Sequence, residues 1–244
     1  MVKPSFSIVI PVLNRPKEVV RAIKSVLSQD YDGEFEVIVI DDGSTDDTYN
    51  EIRKYEASGL FLPAYVRLFR HEKNRGRMAA RNTGREYAKN DWIIDLDSDD
   101  ELVSTYLSHA AKSIEANTEV KIHTCGALVF NDYTNSFSVR QTFVPKKGEE
   151  FKSGKIGTGS FCFHRSLIWK MPESLQPYGN DGCFSHMAHE AVPGIAALYG
   201  KTESGQWPPL GNCWGDDWVY FYKITRDNDV VGIPLPLYLV HLRP

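Results

Sequence analysis

Hydrophobic and polar positions along the first half of the chain repeat one cycle: a short apolar run, a polar break, then an amphipathic stretch. Residues 6–13 (FSIVIPVL) are almost continuously apolar, the pattern of a strand buried on both faces. Asn14 stands where it can cap the next helix, Pro16 suits its first turn, and Val19, Val20, Ile23, Val26 and Leu27 recur at helical spacing. Residues 35–40 (FEVIVI) predict a second strand, and Ser44, Thr45 and Asp46 offer a cap for a helix over about 47–57. A third strand is predicted at 65–70, a helix at 77–89, a fourth strand at 92–96 and a helix over about 101–116. Strands alternating with helices imply right-handed crossovers and a mostly parallel sheet, an α/β fold.

The second half has a different rhythm. Residues 120–130 and 137–144 read as strands joined by the polar turn 131–135, and 156–164 as a further strand. Between 171 and 214 the pattern dissolves into prolines and glycines around one short helix near 185–199. A segment of that length without regular structure suggests a functional loop or lid. A helix over 216–226 and a strand over 230–240 close the chain.

Composition narrows the class. The 244 residues are 42% hydrophobic and 25% charged, ordinary for a globular protein with a sizeable core. A net charge of -4 gives no reason to expect nucleic acid as a partner. The first apolar run leads straight into Arg15, Lys17 and Glu18, so it reads as a buried strand and not as a secretory leader. No stretch reaches the roughly 20 apolar residues of a membrane span. Cys125, Cys162, Cys183 and Cys213 form no CxxC pair. The expectation is a cytoplasmic protein with free thiols, possible association with the inner face of the membrane being left open.

Charge is unevenly spread. The segment 91–101 (DWIIDLDSDDE) carries six acids and no base. If it stays extended, Asp95, Asp97 and Asp99 share one face while Ile94 and Leu96 take the other. Clustered carboxylates at the end of a buried strand need a compensating cation. Oxygen-only donors suit Mg²⁺ or Mn²⁺, ions that leave room for phosphate oxygens. The plainer alternative is a solvated acidic turn in which Asp99 or Asp100 caps the next helix. The preceding residues 67–85 hold seven bases against one acid. Most of these side chains should be solvated, with one or two facing a diphosphate. Asp41 and Asp42 end the second strand. In a parallel sheet they, Pro11 to Asn14 and Asp97 to Asp99 fall on one carboxyl edge, where ligands bind.

Four segments in this order, SIVIPVLNRP at 7–16, VIVIDDGSTDDT at 37–48, NRGRMAARNTG at 74–84 and DLDSDDEL at 95–102, resemble the family 2 glycosyltransferases. Weaker matches follow in WGDDW at 214–218 and PLYLVHLRP at 236–244. The resemblance implies the GT-A fold, a Rossmann-like sheet flanked by helices. It implies one domain over 1–244, with a nucleotide-sugar half at 1–105 and an acceptor half at 106–244. It further implies sugar transfer with inversion from a nucleoside-diphosphate sugar, UDP-sugars being the commonest donors, to a glycan or lipid-linked hydroxyl. Pro11 and Leu13 would lie along the base, with Asn14 and Asp41 beside them, and Asp42 would bond the base's edge. Arg81 would border the nucleotide. Asp97-Ser98-Asp99 would be the DxD motif, Asp97 approaching ribose or metal and Asp99 holding the metal, with His241 near it. The general base would be Asp217, next to Asp216. The late motif starts with Asp where the family usually has Glu, so which acid serves stays open. Asp95 stands where the family more often has an apolar or aromatic residue; it is either a further acid at the site or the partner of an arginine.

Cys183, His186, His189, Glu190 and Cys213 fit no standard zinc spacing. Trp207, Trp214 and Trp218 suit either a sugar platform or a core. Two rival functions remain. A sugar nucleotidyltransferase would need a glycine-rich phosphate loop after the first strand, where PVLNRP has no glycine. A binding module of the same fold that has lost catalysis would be separated by turnover.

Overall fold

The structure, a computed structural model, describes residues 2–57, 66–131, 134–147, 158–170, 224–225 and 227–242. The predicted 171–214 segment, with its cysteines, histidines and tryptophans, lies outside them, as do Trp218 and the late acids Asp216 and Asp217.

The elements are β1 (Phe6–Val12), α1 (Pro16–Leu27), β2 (Phe35–Asp41), α2 (Thr48–Ala57), β3 (Val66–Arg70), α3 (Arg77–Tyr87), β4 (Trp92–Asp95), β5 (Glu101–Leu102), α4 (Tyr106–Ala116), β6 (Ile122–Asn131), β7 (Ser136–Arg140), β8 (Phe161–His164) and β9 (Val231–Leu242). Among the described residues they form one sheet in the order β3-β2-β1-β4-β8-β6-β9-β5, with β7 beside β6. Parallel register joins β1 to β2 and β4, β2 to β3, and β6 to β9, and covers most of the paired positions. The antiparallel pairings join β4 to β8, β5 to β9, and β6 to β7 and β8.

Side chains of β1 alternate between two apolar layers, as pleating demands. Phe6, Ile8, Ile10 and Val12 pack with Val19, Ile23 and Val26 of α1 and with Tyr106, Leu107 and Ala110 of α4. Val9 faces the other way, into a layer with Ile38 and Ile40 of β2, Met78 and Ala80 of α3, and Ile93 of β4. Helix α3 therefore covers one face alone, while α1 and α4 cover the other. It lies against the sheet at Gly84, where an added Cβ would stand 2.2 Å from Val9 Cγ1 and 3.3 Å from Ile40 Cγ1. No larger residue fits that approach.

Several local expectations change. Asn14 does not cap α1: it has φ 52°, Arg15 occupies the cap position, and no side chain bonds there. Asn14 Oδ1 instead accepts from Thr45 N at 2.9 Å, so its polar group fastens the loop after β1 to the loop after β2. The helix expected from 101 starts at Tyr106, because Glu101 and Leu102 pair with Leu239 and Tyr238 of β9. The chain is not extended through the acidic run. Asp100 N donates to Asp97 O at 3.0 Å, closing a turn, so the alternation of faces expected of an extended strand does not carry through to Asp99. No helix among the described residues is long and apolar enough to cross a membrane.

His123 on β6 is wholly buried, between Ser113 Oγ at 2.8 Å and the Val120 carbonyl at 3.3 Å, edge-on to Trp92. Burial pushes its pKa down to about 4, the Val120 carbonyl opposing weakly. The unfolded chain binds the proton near pH 6.5 and the folded protein only near 4. This group therefore stabilises above that window and loses stability as pH falls through it, at up to about 1.4 kcal/mol per pH unit. Urea midpoints between pH 7 and 4.5 should fall more steeply for wild type than for His123→Gln; parallel curves would show that the imidazole titrates normally.

Candidate active site

The site begins where β1 and β4 part. Val9 O accepts from Leu96 N on the β4 side, and Val12 O accepts from Asp42 N on the β2 side, both at 2.9 Å. Pro11 has the parity of Val9, so its missing N–H points toward β4, which has already ended at Asp95. A proline is tolerated inside a sheet only where no ladder bond is lost. It marks the opening of a crevice at the point where strand order reverses, β2 lying on one side of β1 and β4 on the other. Leu13, 36% exposed, stands at its rim.

The loop after β2 forms the next wall. Asp41 Oδ1 accepts from Ser44 N at 2.9 Å, and its Oδ2 lies 3.1 Å from Arg70 Nε, so this acid holds the loop. Ser44 Oγ in turn accepts from Asn14 N, and Thr48 Oγ1 from Arg15 N. Gly43 has φ 76°, and a Cβ there would meet the backbone of Lys73 and Asn74 at 2.6 Å. Only glycine permits that conformation and that approach. The close contact brings the β3–α3 loop over Asp42, whose Oδ1 accepts from Arg75 N at 2.9 Å and lies 2.7 Å from His71 Nδ1. His71 Nε2 is 3.0 Å from Thr83 Oγ1 on α3.

Helix α3 meets the acidic segment through two arginines one turn apart. Arg81 Nη2 donates to Asp97 Oδ1 at 2.6 Å, and Arg85 Nε lies 3.2 Å from both oxygens of Asp95. The choice left open for Asp95 is settled: it is wholly buried and paired with an arginine. Of the seven bases in 67–85, Arg70, Lys73, Arg75 and Arg77 are exposed, as expected for most of them, and the rest turn inward. Arg67 bonds Glu36, Arg70 bonds Asp41 and the Ser44 carbonyl, and Arg81 and Arg85 are buried.

The turn itself is clamped from both sides. Arg15 Nη1 lies 2.5 Å from Asp99 Oδ2, and Arg21 Nη2 donates to Asp99 O at 2.7 Å. Ser98 is buried within the turn. Asp100 accepts from Tyr238 Oη and from His241 N. Burial pushes the Asp100 carboxyl up to about 7, and the charges of Asp97 and then Asp99 add to the rise, against the Tyr238 and His241 bonds. His241 Nε2 lies 2.9 Å from Glu101 Oε1, which also faces Arg21 Nε at 3.0 Å. His241 thus reaches the acidic run through Glu101 and is not gathered with Asp97 and Asp99.

No three His, Cys, Asp or Glu side chains among the described residues stand as a metal-binding group by themselves. The oxygen-only donors of Asp97 and Asp99 and the crowding felt by Asp100 still fit a hard divalent ion whose shell is completed by phosphate oxygens and water. The structure thus brings Pro11, Leu13, Asn14, Asp41, Asp42, Arg81, Asp97, Ser98 and Asp99 to one edge. Sequence reading missed His71, Thr83 and Arg15. His71 directly follows β3 and was findable by the rule that singled out Asp42; Thr83 had no local signal.

The Arg85–Asp95 pair is buried on both sides, with side chains 2% and 1% exposed. Removing one partner strands the other charge. Arg85→Met should cost about 3–5 kcal/mol in urea unfolding. Arg85→Met with Asp95→Leu should recover most of it. A single variant within about 0.5 kcal/mol of wild type would contradict a structural role for the pair.

The chain matches the family described as Glycosyl transferase family 2 over residues 7–173. It is 32% identical over 183 residues to the GalNAc(5)-diNAcBac-PP-undecaprenol beta-1,3-glucosyltransferase of Campylobacter jejuni, an overlap covering 73% of this chain and 57% of that protein. It is 38% identical over 118 residues to an uncharacterized glycosyltransferase of Rickettsia conorii, covering 48% of this chain and 18% of that one. Among solved structures it resembles S. aureus TarS, residues 1–349, with a TM-score of 0.64 and 18% identity, covering 97% of this chain and 60% of that one. TarS has also been solved in complex with UDP and with UDP-GlcNAc. The chain spans less than two thirds of the length of each of these proteins. The likeness to TarS shows the fold, that of the GT-A glycosyltransferases, and the match over 7–173 shows the family: this chain belongs to glycosyl transferase family 2.

Proposed function

We propose that the protein transfers a sugar from a uridine diphosphate sugar to a hydroxyl of a glycan or lipid-linked acceptor, with inversion and with a divalent cation. The observation that carries this reading is the meeting of Leu13, Asp42 and the Arg81–Asp97 pair at the carboxyl edge where β1 and β4 diverge. An exposed apolar side chain, a buried carboxylate and an acidic turn in that order suit a base, its polar edge and a diphosphate. The family, and the UDP and UDP-GlcNAc complexes of TarS, support the same donor class.

In this reading residues 1–105 hold the donor and 106–244 the acceptor. Leu13 packs on the base, Asp42 bonds its edge, and Arg81 keeps the Asp97 carboxylate in place. Asp97 and Asp99 hold Mn²⁺ or Mg²⁺. Bound there, the cation would serve as a Lewis acid toward the leaving diphosphate. The acceptor oxygen attacks the anomeric carbon from the face opposite the diphosphate, and Asp217 takes its proton. Asp216 orients the acceptor. Arg15, paired with Asp99, offsets the repulsion that the neighbouring carboxylates of the turn exert on one another.

Two experiments test the proposal. Calorimetry of UDP with manganese should show metal-dependent binding that Asp99→Asn abolishes; binding indifferent to chelator and to this substitution would refute the metal assignment. In turnover over a panel of nucleotide-sugars, Asp217→Asn should lower the rate by about 10² or more while donor affinity stays nearly intact, with Asp216→Asn milder. A dead Asp216→Asn beside an active Asp217→Asn would exchange the two roles, and no turnover with any donor would favour a binding module.

A further inference from the structure

Three side chains from three elements form a chain of contacts that the mechanism above does not use. Asp42 follows β2, His71 follows β3, and Thr83 sits on α3. Asp42 Oδ1 accepts from Arg75 N, a backbone group that can only donate. The same oxygen lies 2.7 Å from His71 Nδ1, which on this geometry carries the proton and donates. His71 Nε2 is then the acceptor facing the Thr83 hydroxyl at 3.0 Å. Asp42 and His71 are both buried. Their backbones are fixed too: Asp42 N donates to Val12 O, and His71 N donates to Asp41 O.

The consequence lies in what this leaves. Two donors converge on Oδ1, so the carboxylate cannot rotate without losing both. Its second oxygen, Oδ2, has no donor among the described residues. The neighbouring acid is no substitute: Asp41 Oδ1 accepts from Ser44 N, and its Oδ2, 3.1 Å from Arg70 Nε, is wholly buried and out of a ligand's reach. Of the two acids ending β2, Asp42 alone keeps an oxygen for a ligand.

We propose that His71 is a positioning residue that presents Asp42 Oδ2 to the base of the donor nucleotide and so makes the crevice discriminate uracil from cytosine. This rests on the reading that Asp42 meets the base. A carboxylate oxygen fixed in one orientation accepts from an N–H. Uracil offers N3–H, whereas cytosine has a lone pair on N3 that faces the oxygen repulsively. A buried acceptor built for one donor rejects the ring that lacks it, more sharply than apolar packing can. If the carboxylate were free to turn, it would adapt to the cytosine amino group and the discrimination would fade. Thr83 completes the device by holding the imidazole in the tautomer that donates to Asp42.

The test is the ratio of UDP to CDP affinity, measured by calorimetry with manganese, alongside thermal unfolding. Wild type should prefer UDP. His71→Leu should weaken UDP by about tenfold or more, the scale of one charge-assisted hydrogen bond, with CDP little changed. His71→Asn, whose amide N–H lies where Nδ1–H was, should restore most of the ratio. Should His71→Leu fail to fold, Thr83→Val carries the test and must lower the same ratio. Equal losses for UDP and CDP in these variants, or an unchanged ratio in folded protein, would overturn the proposal and leave His71 as packing. Asp42→Asn separates the two levels. If it removes the base preference while the His71 variants do not, the positioning role fails and the base assignment stands; if it too leaves the ratio unchanged, the base assignment fails with it.

Discussion

The close seat of α3 on β1 at Gly84 is the constraint on which the rest of the site depends. A Cβ at that position would lie 2.2 Å from Val9 Cγ1, inside any tolerable contact, so the helix can lie this near the sheet only without a side chain there. Three residues on either side of that point then acquire fixed targets. Thr83 meets His71 beyond β3, Arg81 meets Asp97 beyond β4, and Arg85 meets Asp95 within β4. One helix thereby sets both the group that would read a base and the group that would lie near a diphosphate. A helix standing one side chain farther out would lengthen all three contacts together. Precision at two ends of a ligand is inherited from one apolar contact in the middle.

Electrostatics follows the same division. The crevice edge gathers Asp41, Asp42, Asp97, Asp99 and Asp100, which would repel one another if left alone. Each is met by a donor from a separate element: Arg70 from β3, His71 beyond it, Arg81 from α3, Arg15 from the loop after β1, and Tyr238 from β9. The arrangement is preorganised, so charge arriving with a ligand meets groups already oriented and little reorganisation is required. Arg15 differs from Arg81 in one respect that bears on function. Its side chain is 44% exposed while that of Arg81 is 3% exposed, so the Arg15–Asp99 pair can open at low cost and the Arg81–Asp97 pair cannot.

Much of this was legible in the residues. The runs at 6–13, 35–40 and 92–96 became β1, β2 and β4 because strands buried on both faces have one readable signature, uninterrupted apolarity. Asp42 and Asp97 were legible because an acid directly after such a run has no place in the core. The failures share a cause. Asn14 looks like a helix cap, yet its side chain serves a loop 31 residues away; Asp95 looks like a ligand, yet its partner is Arg85 on another element. Glu101 and Leu102 look like the start of a helix, yet they pair with β9 more than 130 residues later. Local pattern reports propensity, and in each case a long-range partner overrode it.

That last override explains why the acidic turn is where it is. A turn rich in carboxylates has little apolar surface of its own to hold it. Its anchors are borrowed: Leu102 enters the core beside Tyr238, Asp100 bonds Tyr238 and His241 N, and Glu101 bonds His241. All of these come from β9, which reaches the turn by lying parallel on β6 along its length. The register between β6 and β9 shifts on both sides of Gly126, which pairs with Pro236: Pro234 and Leu235 are passed over before it and Leu237 after it. Prolines withhold ladder donors, so the irregularity falls where the pairing can absorb it. Past that point regular pairing resumes with Tyr238 opposite Ala127, and the strand delivers Tyr238 and His241 to the acids. The late strand therefore acts on the site through geometry fixed far from it. The residues that would do chemistry in the first half of the chain are held in position by the last.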